Sequence, residues 1–236
     1  MPVKLDQTYE AIRLQLVNGE LKIGERVSEQ GLAEKLGVSR SPVREAIKRL
    51  QRDGYFEQVH RYGTIVREPT IEEVGEAYDL RAALEPYAIR NARHRDFAPH
   101  LLELRELCNR MKRVAEDSLE EMSAPDREKL LTGFFEADEE FHSLLLRCSG
   151  NNRFQNLVND ARLFAQIHGV RRHSVITFDT IMGVYRDHLR ILKQFDAENL
   201  AQAAEEMARH IFESKDGAMD WLRYQQRLRE ANRSEH

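Results

Sequence analysis

The chain has 236 residues, enough for one large domain or two smaller ones, and with 41% hydrophobic and 32% charged residues it can bury a core. No apolar run approaches the roughly 20 residues needed to span a bilayer, and the N-terminus lacks the apolar stretch of a signal peptide. Cys108 and Cys148 lie far from any CxxC spacing, which is typical of buried thiols in a reducing compartment. We therefore expect a soluble, cytoplasmic protein without a membrane partner.

Charge is distributed unevenly between the two parts of the chain. The net charge is −4, but residues 1–67 carry 12 Lys and Arg against 9 Asp and Glu, whereas the other 169 residues carry 24 against 31. A basic part beside an acidic part indicates that only the first part meets a polyanion.

The first 67 residues predict three helices and a β-hairpin. Apolar spacing favours a helix over 5–17, and Ser28 is suited to cap the start of a second helix, which Gly37 would end. A third helix is predicted over Arg40–Asp53. Two short strand-like runs then flank a turn with glycine at its tip, at 55–59, 60–63 and 64–67. Together these elements predict a winged helix-turn-helix domain over 1–67.

The sequence changes character after a short linker at 68–70, which contains Pro69. Strand signals disappear, and apolar spacing predicts helices near 71–95, 98–117, 126–149, 152–172, 177–195 and 198–230. We expect these to form an all-helical bundle over 71–232. The predicted fold class is therefore mainly α, with an N-terminal winged helix-turn-helix of three helices and a small β-hairpin followed by an all-α helical bundle.

The third helix has the features of a DNA-reading element. In a helix-turn-helix the second helix of the pair enters the major groove with its N-terminal residues at the base edges. Between Arg40 and Arg52 there are five basic residues against one acid, and arginine pairs bidentately with guanine. The alternative is a solvated basic face on a small helical domain. The expected DNA contacts are Ser39, Arg40, Ser41, Arg44, Arg49 and, at the hairpin tip, Gly63.

A resemblance to a known family makes this interpretation more specific. The run VSRSPVREAIKRLQRDGYFEQVHRYGTIV resembles the GntR-type winged helix, and the resemblance extends over residues 5–67. It implies a transcriptional regulator that binds double-stranded DNA as a homodimer on a short palindromic operator, because the two-fold symmetry of the protein is mirrored in its site.

Four residues of the helical part form a candidate metal site. Asp138 and His142 are four residues apart and share one helix face, while His188 and His210 lie on consecutive helices that a short turn joins. Three imidazoles and a carboxylate suit zinc, nickel, manganese or iron. Each of these histidines taken alone is more typical of a surface or core residue, and we assign His60, His94, His100, His168, His173 and His236 to that category.

The helical part resembles the FCD effector-binding domain of the FadR subgroup across residues 71–222. The resemblance is carried by the segment Leu80–Glu85, Asp138-x3-His142, Ser149-Gly150-Asn151, His188 and His210. It implies that the aspartate and three histidines hold a divalent metal ion, with zinc favoured, and that a small carboxylate effector binds there. Arg81 would be the charge partner of that acid; its alternative role is a salt bridge with Glu85, one turn further on.

Two other functions stay open at this point. A metal ion with a free coordination position also activates water, so a metallohydrolase with a fused DNA-binding domain is one alternative. A regulator that senses the metal itself is another. Since the sequence contains no positioned general base or nucleophile motif, we expect a protein that is not an enzyme. The family resemblance implies a repressor that effector binding releases from DNA.

Overall fold

A computed structural model describes residues 2–17, 19–116, 123–165 and 178–234 of the chain. The chain folds as two compact units, the first built mainly from residues up to Val74 and the second mainly from Gly75 onwards. Within the described ranges, none of the helices combines the length and the apolar character that a membrane span requires. The predicted boundaries at 67 and 71 stay a prediction, although Glu68-Pro69-Thr70 carries no helix or strand.

Three helices form the body of the first unit: α1 (Pro2–Val17), α2 (Glu29–Leu36) and α3 (Arg40–Arg52). The Ser28 side chain accepts a hydrogen bond from the backbone N–H of Gly31, and this caps the start of α2. Gly37 ends α2 with a φ of 65°, a left-handed conformation in which glycine avoids the steric cost of a Cβ. The apolar stripe of α3, which consists of Val43, Ala46, Ile47 and Leu50, is buried against the other elements of this unit.

A three-stranded antiparallel sheet completes the first unit, in the order β1 (Arg26–Val27), β3 (Gly63–Val66), β2 (Phe56–Val59). Strands β2 and β3 form the predicted hairpin, with Phe56 opposite Val66 and Val59 opposite Gly63. Strand β1 was not predicted, because two residues are too short to show an alternating pattern. The structure confirms the predicted class, a winged helix-turn-helix followed by helices.

The described residues after the linker form helices, which make up most of the second unit. They are α4 (Ile71–Asn91), α5 (His94–Phe97), a 3₁₀ turn (Ala98–His100), α6 (Leu101–Glu116), α7 (Ala124–Cys148), α8 (Asn152–Ala165), α9 (Phe178–Asp196) and α10 (Leu200–Ser234). The predicted helix over 71–95 is divided into α4 and α5. The predictions for 166–172, for 117 and 177, and for His168, His173 and His236 fall outside the described residues.

Four helices of the second unit, α6, α7, α9 and α10, pack against one another in series. Helix α6 packs against both α7 and α9, and α9 packs against α10. The largest fully buried side chains of these helices include Met111 of α6, Phe141 of α7 and Phe195 of α9. Both cysteines are free thiols, Cys108 buried and Cys148 partly exposed. Burial raises the pKa of Cys108 to about 12 and that of Cys148 to about 11.

Candidate DNA-binding surface and metal centre

The leading end of α3 presents a compact polar surface. Ser39, Arg40, Ser41 and Arg44 are all exposed. Ser39 occupies the position before the first turn of α3, yet its hydroxyl forms no capping hydrogen bond. Backbone N–H groups and hydroxyls at a helix start are suited to phosphate oxygens, and the two arginines extend beyond them.

Glu29, at the start of α2, lies against both of these arginines. Arg44 donates from Nε to the two carboxylate oxygens at 3.1 and 3.2 Å, and Arg40 donates from Nη2 to Oε2 at 3.4 Å. The hydrogen bond from Arg44 lowers the pKa of Glu29. Sequence reasoning missed this residue because the contact depends on the angle between α2 and α3, which no local spacing specifies.

Arg49 does not lie with Arg40 and Arg44. It is five residues after Arg44, which places it about 140° further around the helix. Its guanidinium carbon lies 4.1 Å from the ring centre of Tyr9, and Nη1 donates to Asp6 Oδ1 at 3.1 Å, both on α1. Arg49 therefore contacts two residues of α1, and the predicted contact of Arg49 with DNA stays a prediction.

The hairpin tip requires glycine at its last position. Gly63 has a φ of 112°, and a Cβ at this position would lie 3.2 Å from Nε of Arg26. The Arg26 guanidinium in turn lies 5.8 Å from the ring centre of the half-exposed Tyr62. The tip thus combines a backbone without a side chain, an arginine and an aromatic ring.

Asp138, His142, His188 and His210 come together in the second unit. Helix α7 supplies the first two, α9 the third and α10 the fourth, and one ligand atom from each lies within 4.8 Å of all the others. The three imidazoles are almost fully buried. No second set of three or more His, Cys, Asp or Glu forms such a cluster within the described ranges.

Each histidine of this cluster also has a partner on its outer ring nitrogen. His142 Nδ1 lies 2.5 Å from Glu85 Oε2, and His210 Nδ1 lies 3.1 Å from Asp187 Oδ2. A carboxylate only accepts hydrogen bonds, so in a neutral imidazole this contact favours the tautomer with the proton on Nδ1 and the lone pair on Nε2. The third ring, that of His188, has its Nδ1 3.2 Å from the sulfur of Met111.

The inner nitrogens of His142 and His188 face each other. Their Nε2 atoms are 3.3 Å apart, and each lies 3.6–3.7 Å from Asp138 Oδ1. Burial, together with neighbouring His210, holds the pKa of His188 well below its usual range. Two imidazole nitrogens bound to one tetrahedral zinc ion, each about 2.0–2.1 Å from it, lie roughly 3.3–3.4 Å apart. The donor set and its spacing therefore fit a divalent metal ion.

Two buried arginines border this cluster. Arg81 donates from Nε to Glu85 Oε1 at 2.9 Å, which is the ion pair that its position one turn before Glu85 allows. Arg162 donates from Nη2 to Asp138 Oδ2 at 2.7 Å. Burial would raise the pKa of Asp138, but Arg162 and His142 outweigh that effect and hold it well below its usual range. The Nε and Nη1 atoms of Arg162 are buried and have no hydrogen-bond partner among the described residues.

Comparison with known proteins matches the two parts of the chain to two families. Residues 4–66 match the model of bacterial regulatory proteins of the gntR family, and residues 76–213 match the FCD domain. The chain is similar to the uncharacterized HTH-type transcriptional regulator YdhC of Bacillus subtilis, with 28% identity over 209 residues, 87% of this chain and 86% of that protein. It is similar to the HTH-type regulator LutR of the same organism, with 30% identity over 216 residues, 84% of this chain and 94% of that one.

Among solved structures, a GntR regulator from Rhodococcus sp. RHA1 has a similar fold. The TM-score is 0.73 at 20% identity, and the match covers 92% of this chain and 98% of that chain.

Proposed function

The chain belongs to the gntR family of bacterial regulatory proteins and carries an FCD domain, and we propose that it is a repressor whose affinity for its operator is set by a small organic acid bound at a divalent metal ion. It is a DNA-binding transcriptional regulator, as its relatives are. The metal, the acid and the direction of regulation are the proposal. The observation that carries the proposal is the buried pair of inner nitrogens 3.3 Å apart beside the Asp138 carboxylate, a spacing at which one metal ion would bind both nitrogens.

DNA is read by the leading end of α3. Arg40 and Arg44 contact base edges in the major groove, and Ser39 and Ser41 contact phosphates. Gly63 brings the hairpin tip close to the DNA backbone. Two copies of the chain occupy the two halves of a palindromic operator, since each copy presents one recognition helix.

The metal ion is held by Asp138, His142, His188 and His210. Zinc suits this set because it binds imidazole and carboxylate together, and nickel, manganese and iron are the alternatives. A bound metal ion supplies a Lewis acid that holds a carboxylate oxygen of the effector.

The acid also needs a charge partner from the protein. Arg162 supports an anionic effector, because buried N–H groups without acceptors are costly. These two donors point from different edges of the guanidinium, so each can take a separate acceptor, and a carboxylate oxygen suits either of them. Arg81, the partner expected from the sequence, has its Nε engaged by Glu85.

Effector binding alters DNA affinity only if the acid binds the DNA-competent and DNA-released states with different affinity. In the proposed mechanism the acid favours the released state and the operator becomes free for transcription. The protein needs no catalytic step for this, and it is not an enzyme in this proposal.

The central experiment measures metal content and ligand stabilisation in the same preparation. Protein purified without a chelator or a His-tag should contain about one divalent metal ion per chain by elemental analysis. A thermal-shift screen of organic acids, with and without EDTA, should find an acid that stabilises only the metal-loaded protein, since a ligand that binds only the native state raises the unfolding temperature. The same acid should then release a selected operator duplex.

Two variants serve as a matched pair in this experiment. His188→Ala removes a buried member of the cluster, whereas His100→Ala removes a partly exposed histidine outside the cluster that lies beside Glu103. Zinc uptake should be lost in the first and kept in the second. No metal uptake by the wild type would refute the metal site, and a proton shared between His142 and His188 would then explain their contact. Release of the operator by zinc alone would indicate a metal sensor. Turnover of the acid would indicate an enzyme.

A further inference from the structure

The buried partner of His142 has a defined role in the candidate metal centre. We propose that Glu85 is a positioning residue that fixes the tautomer and orientation of His142 for the metal ion, and that Arg81 holds Glu85 in place through its Nε. This inference rests on the proposed metal site.

Glu85 has both carboxylate oxygens engaged by different partners. Oε1 accepts from Arg81 Nε at 2.9 Å and Oε2 lies 2.5 Å from His142 Nδ1. The side chains of Glu85 and Arg81 are 2% and 8% exposed, and that of His142 is fully buried. A chain of three side chains thus connects α4 to the ligand set, and water does not compete for its hydrogen bonds.

The consequence for His142 follows from hydrogen-bond chemistry. A neutral imidazole has one N–H donor and one acceptor nitrogen, and a carboxylate at Nδ1 selects the tautomer that leaves Nε2 unprotonated. That Nε2 is the atom facing His188 and Asp138. Carboxylates in this position orient a metal-bound histidine and increase its basicity as a ligand.

The other two histidines of the cluster have weaker outer partners. Asp187, which contacts His210 Nδ1 at 3.1 Å, also forms a short ion pair with the half-exposed Arg190. Met111 offers His188 only a sulfur atom, a weak acceptor. Of the three rings, His142 is therefore held by the most buried carboxylate, and we expect the loss of Glu85 to affect metal affinity more than the loss of Asp187.

Arg81 supports Glu85 in this proposal, and its expected contact with an effector stays a prediction. An effector that drew Arg81 away from Glu85 would leave a buried carboxylate without the cation that pairs with it. Breaking a buried ion pair is strongly unfavourable because one charge stays uncompensated. The arginine with unused buried donors is Arg162.

The test compares zinc affinity among variants by competition with a chromophoric chelator. Glu85→Gln keeps the side-chain shape and should weaken zinc binding about 10- to 100-fold, and Asp187→Asn should weaken it less. Glu103→Gln, which alters an exposed residue on α6, is the control and should bind zinc as the wild type does. Cobalt(II) loaded into the wild type and Glu85→Gln should give different visible absorption spectra, which a purely structural role of Glu85 would not produce.

A measurement on the unmodified chain keeps the inference testable if Glu85→Gln does not fold. Long-range ¹H–¹⁵N spectra of the metal-free wild type should show the proton of His142 on Nδ1. A proton on Nε2 would overturn the inference, as would equal zinc affinity in Glu85→Gln and the wild type. If the wild type itself binds no zinc, the proposed metal site fails as a whole, and this outcome is distinct from the failure of Glu85 alone.

Discussion

Replacing Arg44 separates base reading from general attraction to DNA. Its Nε is held by Glu29, while Nη1 and Nη2 form no hydrogen bond with any described residue. The two Nη atoms can therefore contact O6 and N7 of a guanine without breaking the contact to Glu29. Because loss of a bidentate guanine contact typically weakens binding roughly 5- to 150-fold, we expect Arg44→Ala to weaken operator binding within that range and to relax specificity at one base pair.

The assay uses an operator selected from random DNA by the wild-type protein, measured at a fixed salt concentration. Affinity is compared for the operator, for variants with one base pair changed, and for an unrelated duplex. Arg44→Lys keeps the charge but loses the planar fork, so it should lose operator affinity almost as strongly as Arg44→Ala while keeping its affinity for the unrelated duplex.

Lys48 provides the matched control on the same helix. It is exposed and pairs with Glu45 within one turn. Lys48→Ala should reduce the salt dependence of binding by about one phosphate contact at most, with no change in sequence preference. If Arg44→Ala weakened operator and unrelated DNA equally, or if Lys48→Ala matched it in sequence preference, the assignment of Arg44 as a base-reading residue would be wrong.

Three further predictions concern the folded chain. Gly63→Ala forces a Cβ onto a residue with φ of 112° and 3.2 Å from Arg26 Nε, so it should lower the unfolding free energy of the first unit by about 1–2 kcal/mol in denaturant titrations; an unchanged midpoint would contradict this. Phe97→Ala opens a cavity at a fully buried ring and should lower the free energy of unfolding by about 3–5 kcal/mol. The control, Phe212→Ala at a half-exposed ring, should lower it by about 0.5 kcal/mol or less. Thermal unfolding of the two variants tests this difference. Because burial raises the pKa of Cys148 to about 11, little thiolate exists at pH 8. Iodoacetamide should modify it on the order of 100-fold more slowly than free cysteine, at a rate that rises towards pH 11. Modification as fast as that of glutathione would refute the raised pKa.

Local signals were sufficient to predict most of the helices. Ser28 and Gly37 mark the ends of α2 by chemistry that acts within a few residues, namely a capping hydrogen bond and a left-handed backbone. Thr70 and Glu73 likewise start α4 with reciprocal hydrogen bonds. Strand β1 was missed because it exists only through its pairing with β3, a contact between segments far apart in the sequence.

The candidate metal site was predictable in part. Asp138 and His142 share a helix face by spacing alone, whereas the approach of His188 and His210 depends on how α9 and α10 pack. The short turn between these two helices allowed that approach, and the family resemblance supported it. The outer partners were not predictable. Glu85 lies 57 residues before His142 in the sequence, and no periodic pattern connects them.

Asp138 links the two chemical parts of the candidate site. Its Oδ1 faces the ring nitrogens of His142 and His188, while its Oδ2 accepts from Arg162. A metal ion and Arg162 would therefore share one carboxylate, and an acid that binds the metal ion would enter beside a guanidinium with two unused donors. This arrangement favours an anionic effector over a neutral one, because a neutral molecule would leave the buried charge of Arg162 with Asp138 as its only acceptor among the described residues. Charge, rather than shape alone, is therefore the first criterion for choosing the compounds to screen.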